Sequence, residues 1–270
     1  MVSKIILTQY LLQNNTFSGE SLRQKLIVLD EIGSTNDYLK SQLSNFKPLP
    51  EWSAIMAKNQ THGRGQRENV WCSEPNSNIT FSFVLYPTHL PLTDHFSLNM
   101  LISLGIIDWL ESIHVKATIK WPNDILIGNK KIAGILIENK SAGQSIKQSV
   151  IGIGINVNQK QFFEDIANTA SSILNETGKF IHDLPEACLN LLTHLHHRFQ
   201  DHKYKKLNDS RLLQEYNDNL FRKSIISSYS TGNRSFEAYL LRVDKTGELV
   251  LLENNSEKKY YFKEVVFNLQ

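Results

Sequence analysis

The first candidate for chemistry in this sequence is a glycine pattern near its middle, Val-Ile-Gly-Ile-Gly-Ile-Asn-Val at residues 150–157. Alternate side chains of a β-strand share a face, so Gly152, Gly154 and Asn156 would lie together, opposite the isoleucines. Glycines weaken a strand interior, and two at this spacing fit the close approach of a flat ligand or of another backbone. The pattern predicts either a ligand-binding strand with Asn156 as a polar contact or tight packing against a helix.

A second candidate is a polar loop with two close glycines. Gly63 and Gly65 would let the backbone approach a ligand, and Arg64 and Arg67 would supply charge-assisted hydrogen bonds to a phosphate or a carboxylate. Trp71 follows the loop, where its ring could stack on a base or belong to the core. The loop is therefore a candidate anion site, with an ordinary solvated turn as the alternative.

A third candidate is the run Lys-Trp-Pro-Asn-Asp at residues 120–124, just before a predicted hairpin. Asn123 and Asp124 could contact a hydrated magnesium ion or a ribose, or the pair could serve only the turn conformation. Lys131 lies beside the hairpin turn, where an exposed lysine is ordinary. Lys131 is three positions before Gly134, so in a regular strand the two residues would lie on opposite faces. A bulge or the turn itself must therefore direct the Lys131 side chain toward the glycine face.

The elements that must position these segments are read from hydrophobic periodicity, capping residues and turn residues. They are a strand at 25–29, a helix started by Ser34-Thr35-Asn36, strands at 51–58 and 78–86, a helix at about 93–113, a hairpin with strands 125–127 and 132–137, the strand 150–157, and an amphipathic helix at 184–199. From about Leu220 short strands and turns predict a small all-β unit. We therefore expect an extension (residues 1–24), a main domain (25–218) and a C-terminal domain (219–270).

Bulk composition excludes several classes of protein. The 270 residues are 41% hydrophobic with a formal charge of +2, which fits a globular protein without a strong electrostatic field. No apolar run approaches the roughly 20 residues of a membrane span. Two distant cysteines suit a reducing cytoplasm. The helix bearing His194, His196 and His197 has an ordinary apolar stripe, which disfavours a metal site there.

Together these motifs resemble those of biotin protein ligases over roughly residues 25–160. The resemblance is carried by Lys-Trp-Pro-Asn-Asp, by Lys-Ile-Ala-Gly-Ile-Leu at 131–136 and by Gly-Ile-Gly-Ile-Asn at 152–156, in order after the serine-threonine pair and the glycine loop. It implies an α+β fold in which a mixed β-sheet with flanking helices, akin to class II aminoacyl-tRNA synthetases, precedes a small C-terminal SH3-like β-barrel. Asp244, Gly247 and Leu249 carry the less specific C-terminal part.

The resemblance also implies an activity and the residues that perform it. The activity is ATP-dependent formation of biotinyl-5'-AMP and transfer of biotin to a lysine of the biotin carboxyl carrier domain of a carboxylase such as acetyl-CoA carboxylase. The implied biotin-binding residues are Ser34, Thr35, Asn36, Gln60, Gly63, Arg64, Lys131, Leu136, Gly152 and Gly154. The implied adenylate-binding residues are Arg67, Trp71, Lys120, Asn123 and Asn156. Lys131, Arg64 and Arg67 would be catalytic, and Asp124 would hold Mg²⁺.

Some features depart from the family pattern. Gln66, Glu68 and Asn69 occupy places often held by arginine, glycine and arginine, a difference that bears on loop conformation and adenylate retention. Residues 1–24 are too few for the helix-turn-helix of the family's regulatory members, so we expect a monofunctional cytoplasmic enzyme, monomer or homodimer, without DNA or membrane binding. A lipoate protein ligase and a non-enzymatic biotin-binding module are the alternatives.

Overall fold

The computed structural model describes residues 18–45, 48–66, 69–232 and 234–268. Its helices are α1 (Ser18–Arg23), α2 (Thr35–Asn45), α3 (His95–Ser112), α4 (Ile173–Thr177), α5 (Leu184–Lys203) and α6 (Asp209–Asp218), with a 3₁₀ turn at Leu92–Asp94. Its strands are β1 (Leu26–Ile32), β2 (Ala54–Gln60), β3 (Ile79–Leu85), β4 (Thr118–Lys120), β5 (Asp124–Ile127), β6 (Lys130–Ala142), β7 (Ser145–Ile155), β8 (Ile226–Thr231), β9 (Arg234–Val243), β10 (Leu249–Glu253), β11 (Ser256–Tyr260) and β12 (Val266–Phe267).

The first seven strands form one mixed sheet in the order β1-β2-β3-β7-β6-β5-β4. The β1–β2 pair is parallel, and the remaining neighbours are antiparallel. The α+β class and the mixed sheet are thereby confirmed. The glycine strand β7 lies at the centre of this sheet, between β3 and β6, so its bare positions face a surface that neighbouring strands extend on both sides.

The core fills the space between this sheet and helices α3 and α5. Strand β3 is buried along its whole length, and Phe81 and Phe83 pack into the main hydrophobic cluster with Trp52. Helix α3 is apolar on most of its circumference, as expected for a helix covered on most sides. Gly105 lets α5 approach α3 closely, because a Cβ added there would lie 2.6 Å from Leu195 Cδ2. Among the described residues, no helix has the length and apolarity needed to cross a membrane.

The hairpin of β5 and β6 has the predicted turn, and it also has a bulge. Gly128 adopts a φ of 55°, the left-handed conformation that this turn requires. The pairing shifts by one residue, since Leu126 pairs with Lys131 whereas Ile125 pairs with Ala133. The extra residue between the two pairs turns Lys131 onto the glycine face of β6. The sequence had required a bulge or the turn itself to direct this side chain, and the register shift is that bulge.

The C-terminal strands form a separate five-stranded antiparallel sheet in the order β11-β10-β9-β8-β12. A barrel closes only when its first and last strands pair, and within the described residues β11 and β12 remain edges. The predicted small all-β C-terminal unit is confirmed as an antiparallel sheet, but the expected β-barrel does not close: the sheet is open. The reason lies in β12, which has two residues and pairs only with β8.

The two sheets meet at the segment that carries the Lys-Trp-Pro-Asn-Asp run. Trp121 Nε1 donates a 3.0 Å hydrogen bond to the Gly247 carbonyl of the C-terminal sheet. Asn217, at the end of α6, bridges the same interface, because its side chain accepts from Val243 N at 2.6 Å and donates to Val243 O at 3.0 Å. Contacts with the C-terminal sheet thus help to position the residues beside Asp124.

Candidate functional site

A cavity of about 520 Å³ lies over the glycine face of β6 and β7, and we call it the main cavity. It gathers residues that are more than a hundred positions apart in the sequence. Of the predicted site residues, those that line it are Ser34, Thr35, Asn36, Gln60, Arg64, Trp71, Lys120, Asn123, Asp124, Lys131, Leu136, Gly152 and Gly154. A larger neighbouring cleft of about 1290 Å³, the outer cleft, shares Trp71 and Lys131 with it and is also lined by Asn156.

Gly63 is not part of the cavity lining; a Cβ at this position would overlap the Trp71 carbonyl and lie 2.5 Å from Gln60 Nε2. Arg67 lies outside the described residues, as does Glu68. Gln66 and Asn69 both line the main cavity, so two of the three atypical loop positions present neutral amides to it.

One end of the main cavity is a buried polar network at the start of α2. Thr35 donates to Gln60 Oε1 through its backbone N (2.9 Å) and its hydroxyl (3.1 Å). Ser82 Oγ lies 2.7 Å from Thr35 Oγ1 and 2.5 Å from Asn36 Oδ1, and its side chain is fully buried. A Cβ at Gly152 would overlap the Asn36 amide. These groups are preorganised for a polar ligand, because their geometry is set before any ligand enters.

Beside this network, Arg64 at the cavity edge belongs to a cluster of paired charges. Arg64 NH1 lies 2.6 Å from Asp37 Oδ1 and 3.2 Å from Glu138 Oε1, and Lys40 lies 2.9 Å from both carboxylates. Burial alone would raise the pKa of Glu138, but hydrogen bonds from Lys40 and Asn36 and the charges of Lys40 and Arg64 lower it below its ordinary value. Arg64 is therefore held against internal carboxylates at the cavity edge.

At the other end of the main cavity, Lys131 Nζ lies 2.6 Å from Asp124 Oδ1. Lys120 Nζ is 3.7 Å from the same carboxylate. The Lys131 backbone is fixed independently of its side chain, because its N donates to Thr169 O at 2.7 Å and its O accepts from Ser171 N at 3.0 Å. The bulge and these two bonds fix the backbone of a lysine whose side chain lines the main cavity.

The segment before Asp124 is held through the Pro122 carbonyl. That oxygen accepts hydrogen bonds from Asn99 Nδ2 of α3 and from the Tyr216 hydroxyl of α6, both at 2.8 Å. Complete burial raises the pKa of Tyr216, and the charge of Asp124 adds to the effect. Asn123 Nδ2 donates to Ile135 O at 2.6 Å, which ties the segment to β6. Helices and sheet thus share in positioning the Asp124 carboxylate.

The indole of Trp71 covers part of the glycine face. A Cβ at Gly154 would overlap the ring, and one at Gly134 would lie 3.1 Å from Trp71 Cζ3. Lys131 Nζ lies 5.7 Å from the ring centroid. Trp71 Nε1 and Asn156 Oδ1 are both buried without a hydrogen-bond partner among the described residues. This end of the site therefore combines an aromatic surface with one unsatisfied donor and one unsatisfied acceptor.

Comparison with known proteins identifies the family. Residues 28–156 match the model of the biotin/lipoate A/B protein ligase family. The chain is also 30% identical over 259 residues to the bifunctional ligase/repressor BirA of Bacillus subtilis (strain 168), an alignment that covers 91% of this chain and 75% of that protein. The chain belongs to the biotin/lipoate A/B protein ligase family.

Two further relatives bear on the fold and on the branch of the family. The biotin protein ligase from Aquifex aeolicus, solved in complex with biotin and ATP, is similar with a TM-score of 0.74 and 25% identity, covering 91% of this chain and 99% of that one. The biotin--[acetyl-CoA-carboxylase] ligase of Paracoccus denitrificans is 32% identical over 152 residues, 54% of this chain and 62% of that protein. The predicted resemblance to biotin protein ligases is confirmed.

Several residues at the site were not singled out from the sequence. Ser82 and Glu138 could have been found, because Ser82 shares the polar face of β3 with Thr80, and Glu138 continues the face of Gly134 and Leu136 at spacing two. The C-terminal residues that line the main cavity carried no such signal. They are Phe262, Lys263, Val265, Val266 and Phe267.

Proposed function

We propose that this protein activates biotin with ATP and transfers it to a lysine of a biotin carboxyl carrier domain. The observation that carries the proposal is the composition of one cavity. Three features line this cavity above the glycine face of β7. They are the polar pocket at Thr35 and Gln60, the side chain of Lys131 with its fixed backbone, and the aromatic surface of Trp71. The family contains both biotin and lipoate ligases, and the named relatives described above include biotin ligases.

The chemistry requires cations where the biotin carboxylate meets the α-phosphate of ATP. A carboxylate oxygen of biotin attacks the α-phosphorus of ATP, pyrophosphate leaves, and biotinyl-5'-AMP forms. A lysine amine of the carrier then attacks the carbonyl carbon, and AMP leaves. In the first step an anion approaches a polyanion, so preorganised positive charge lowers the barrier. Lys131 and Arg64 supply it in this proposal, together with Arg67, and each of the first two is now held by a carboxylate that a ligand anion would replace or join.

We assign biotin to the polar end of the cavity. The hydroxyls of Ser34 and Thr35 and the Gln60 amide are small donors and acceptors suited to the biotin ureido group. Leu136 and Gly152 contribute the sheet surface beneath it, with the Asn36 amide fixed against Gly152. Gly63 acts indirectly, by allowing the loop to pack close to Gln60.

We assign the nucleotide to the Trp71 end. An adenine ring has an amine that donates and ring nitrogens that accept, which matches the unsatisfied Asn156 Oδ1 and Trp71 Nε1. An unmet buried donor or acceptor costs about 1–3 kcal/mol, so a ligand that satisfies both gains affinity. Lys120 and Asn123 border the phosphate side. Trp71 must shift from Gly154 before a flat ligand can lie on the strand.

The donor set suits a magnesium ion that arrives with ATP. Asp124 is the single carboxylate among the described residues lining the main cavity, and within the described chain no three histidine, cysteine, aspartate or glutamate side chains form a metal cluster. Mg²⁺ commonly binds through one or two carboxylates together with substrate phosphates. We therefore propose that Asp124 holds MgATP, where the ion neutralises phosphate charge, and that Lys131 leaves Asp124 for the biotin carboxylate.

We propose a biotin carboxyl carrier domain as the partner, the cytoplasm as the compartment, and a division into a main and a C-terminal domain. Cys72 and Cys188 are both free thiols, which supports a reducing cytoplasm. In this proposal residues 25–218 hold biotin and ATP, and residues 219–270 support the Lys-Trp-Pro-Asn-Asp segment through Gly247 and Val243.

Mass spectrometry of a biotin carboxyl carrier domain tests the function directly. The domain is incubated with the protein, MgATP and either biotin or lipoate, and the variant Lys131→Met serves as the control for catalysis. The proposal is supported if the wild-type protein adds one biotinyl group to the domain and Lys131→Met does not. A lipoyl adduct instead would assign the chain to the lipoate branch, and biotin binding by calorimetry without any adduct would favour a non-enzymatic binding module.

A further inference from the structure

A turn of the C-terminal sheet, at residues 261–264, lines part of the main cavity. Phe262, Lys263 and Val265 line the cavity together with both residues of β12. The turn faces the Lys120–Asp124 end, because the Phe262 ring contacts Trp121 edge-on with centroids 6.1 Å apart and Lys120 Nζ lies 5.7 Å from the Phe267 centroid. That end is where the proposed function places the phosphates of ATP.

Lys263 is the residue of this turn whose side chain suits a phosphate. Its φ is 73°, in the left-handed region that residues with a Cβ rarely adopt. Such a conformation persists only where the surrounding structure holds it, and it is concentrated at functional sites. Here the turn is held by the hydrogen bond from Tyr261 N to Glu264 Oε2, at 2.8 Å.

The charge balance of the cavity distinguishes Lys263 from its other cations. Arg64, Lys120 and Lys131 each lie within 4.0 Å of a carboxylate. Lys263 makes no such ion pair within the described chain, and its ammonium lies 5.9 Å from the Phe262 ring centroid. It is therefore the cavity-lining cation of the described chain whose charge no carboxylate offsets, facing the end that must accept a polyphosphate.

We propose that Lys263 binds the β- and γ-phosphates of ATP, and therefore pyrophosphate as it leaves, so that the C-terminal sheet completes the adenylation site. This inference rests on the proposed biotin ligase function. The assignment predicts different effects on the two half-reactions. Biotinyl-5'-AMP keeps only the α-phosphate, so the removal of Lys263 weakens adenylation and leaves transfer from preformed biotinyl-5'-AMP unchanged.

Three variants of the full chain test the assignment. Lys263→Met keeps side-chain length without charge, and Lys263→Arg restores the charge. Lys205→Met is the matched control, because Lys205 is another exposed lysine with a left-handed backbone, φ 58°, and it does not line the main cavity. For each protein, the KM for ATP is measured by biotin-dependent pyrophosphate exchange, the Kd of inorganic pyrophosphate by calorimetry, and the transfer rate with synthetic biotinyl-5'-AMP and the carrier domain.

For Lys263→Met we expect about a tenfold rise in the KM for ATP and in the pyrophosphate Kd, equal to about 1.4 kcal/mol. We expect an unchanged biotin Kd and an unchanged transfer rate. For Lys263→Arg and Lys205→Met, the KM for ATP and the pyrophosphate Kd should lie within about threefold of the wild-type values. An unchanged KM for ATP in Lys263→Met would overturn the inference, and so would an equal loss in transfer, which would indicate a carrier contact. If the wild-type protein itself lacks pyrophosphate exchange with biotin, the proposed function fails whatever Lys263 does.

Discussion

The indole of Trp71 lies directly against the backbone of Gly154, at a distance that leaves no space for a Cβ at this position. The spacing of Gly152 and Gly154 predicts the close approach of a flat ligand or another backbone, or tight packing against a helix. In this structure the chain's own flat ring occupies the place beside Gly154, 5.7 Å from the ammonium of Lys131. Ligand entry and Trp71 movement are therefore coupled in the proposed function.

Gly154→Ala should disconnect Trp71 from the strand. The added methyl group would overlap the indole, and overpacking of this kind typically costs about 1–3 kcal/mol of stability. Because a misplacement of about 1 Å in a catalytic site can reduce the rate about a hundredfold, we expect adenylation to fall by that order. Tryptophan fluorescence and pyrophosphate exchange measure the two effects. Gly33→Ala is the matched control, since its Cβ would meet only His62 at 3.9 Å; equal losses in both variants would contradict the role given to Gly154.

Lys131→Met should keep the fold and reduce adenylation about 10²–10³-fold, the usual loss when one preorganised electrostatic contact is removed. The variant also leaves Asp124 with Lys120 at 3.7 Å as its nearest cation, so a modest loss of unfolding free energy is expected as well. Adding Asp124→Asn should recover that stability without recovering activity. Lys130→Met is the control, because Lys130 points to the Ala167 and Asn168 carbonyls instead of into the cavity. Near-normal pyrophosphate exchange in Lys131→Met would remove its catalytic assignment.

Alkylation of the two cysteines should report where the nucleotide binds. Cys72 is exposed and lines the outer cleft beside Trp71, whereas Cys188 is fully buried and burial raises the pKa of its thiol. N-ethylmaleimide should therefore label Cys72 alone in the folded protein. Biotin with a non-hydrolysable ATP analogue, at about ten times its Kd, should slow this labelling about tenfold. Labelling that the nucleotide analogue does not slow would place the adenine elsewhere.

His196 should make the protein less stable in mild acid. Burial lowers its pKa to about 4, with smaller contributions from the charges of His197 and Lys25, and its Nδ1 has no partner within the described chain. The unfolded chain, with a histidine pKa of 6.5, binds the proton first, so the free energy of unfolding decreases as the pH falls from 6.5 toward 4 and then levels.

His196→Phe should flatten that part of the pH profile. Phenylalanine keeps the edge-on contact with Trp52, whose ring centroid lies 5.1 Å from that of His196, and it cannot be protonated. We expect a gain of about 1–2 kcal/mol near pH 4.5 after allowance for solvent screening, and little change at pH 8. Urea unfolding across this range measures it, and parallel profiles for the two proteins would contradict the assignment.

Local geometry accounts for what the sequence determined by itself. Period-two spacing placed Gly152 and Gly154 on one face, and the Gly128 turn established the β5–β6 hairpin, because both depend on neighbouring residues alone. The sequence motifs, in their order along the chain, were enough to indicate the family and the mixed sheet. The sequence also required a bulge or the turn to direct Lys131. In a regular strand its side chain would lie on the face opposite to Gly134.

Tertiary packing decided what fills and surrounds that face. The Asn36 side chain of α2 covers Gly152 and the indole of Trp71 covers Gly154, and both partners lie more than eighty positions away in the sequence. The open C-terminal sheet and the placement of Lys263 depend on how two sheets dock, through Trp121 and Gly247. No periodicity encodes such contacts, because they result from the fit of distant surfaces whose energies are settled only when the whole core packs.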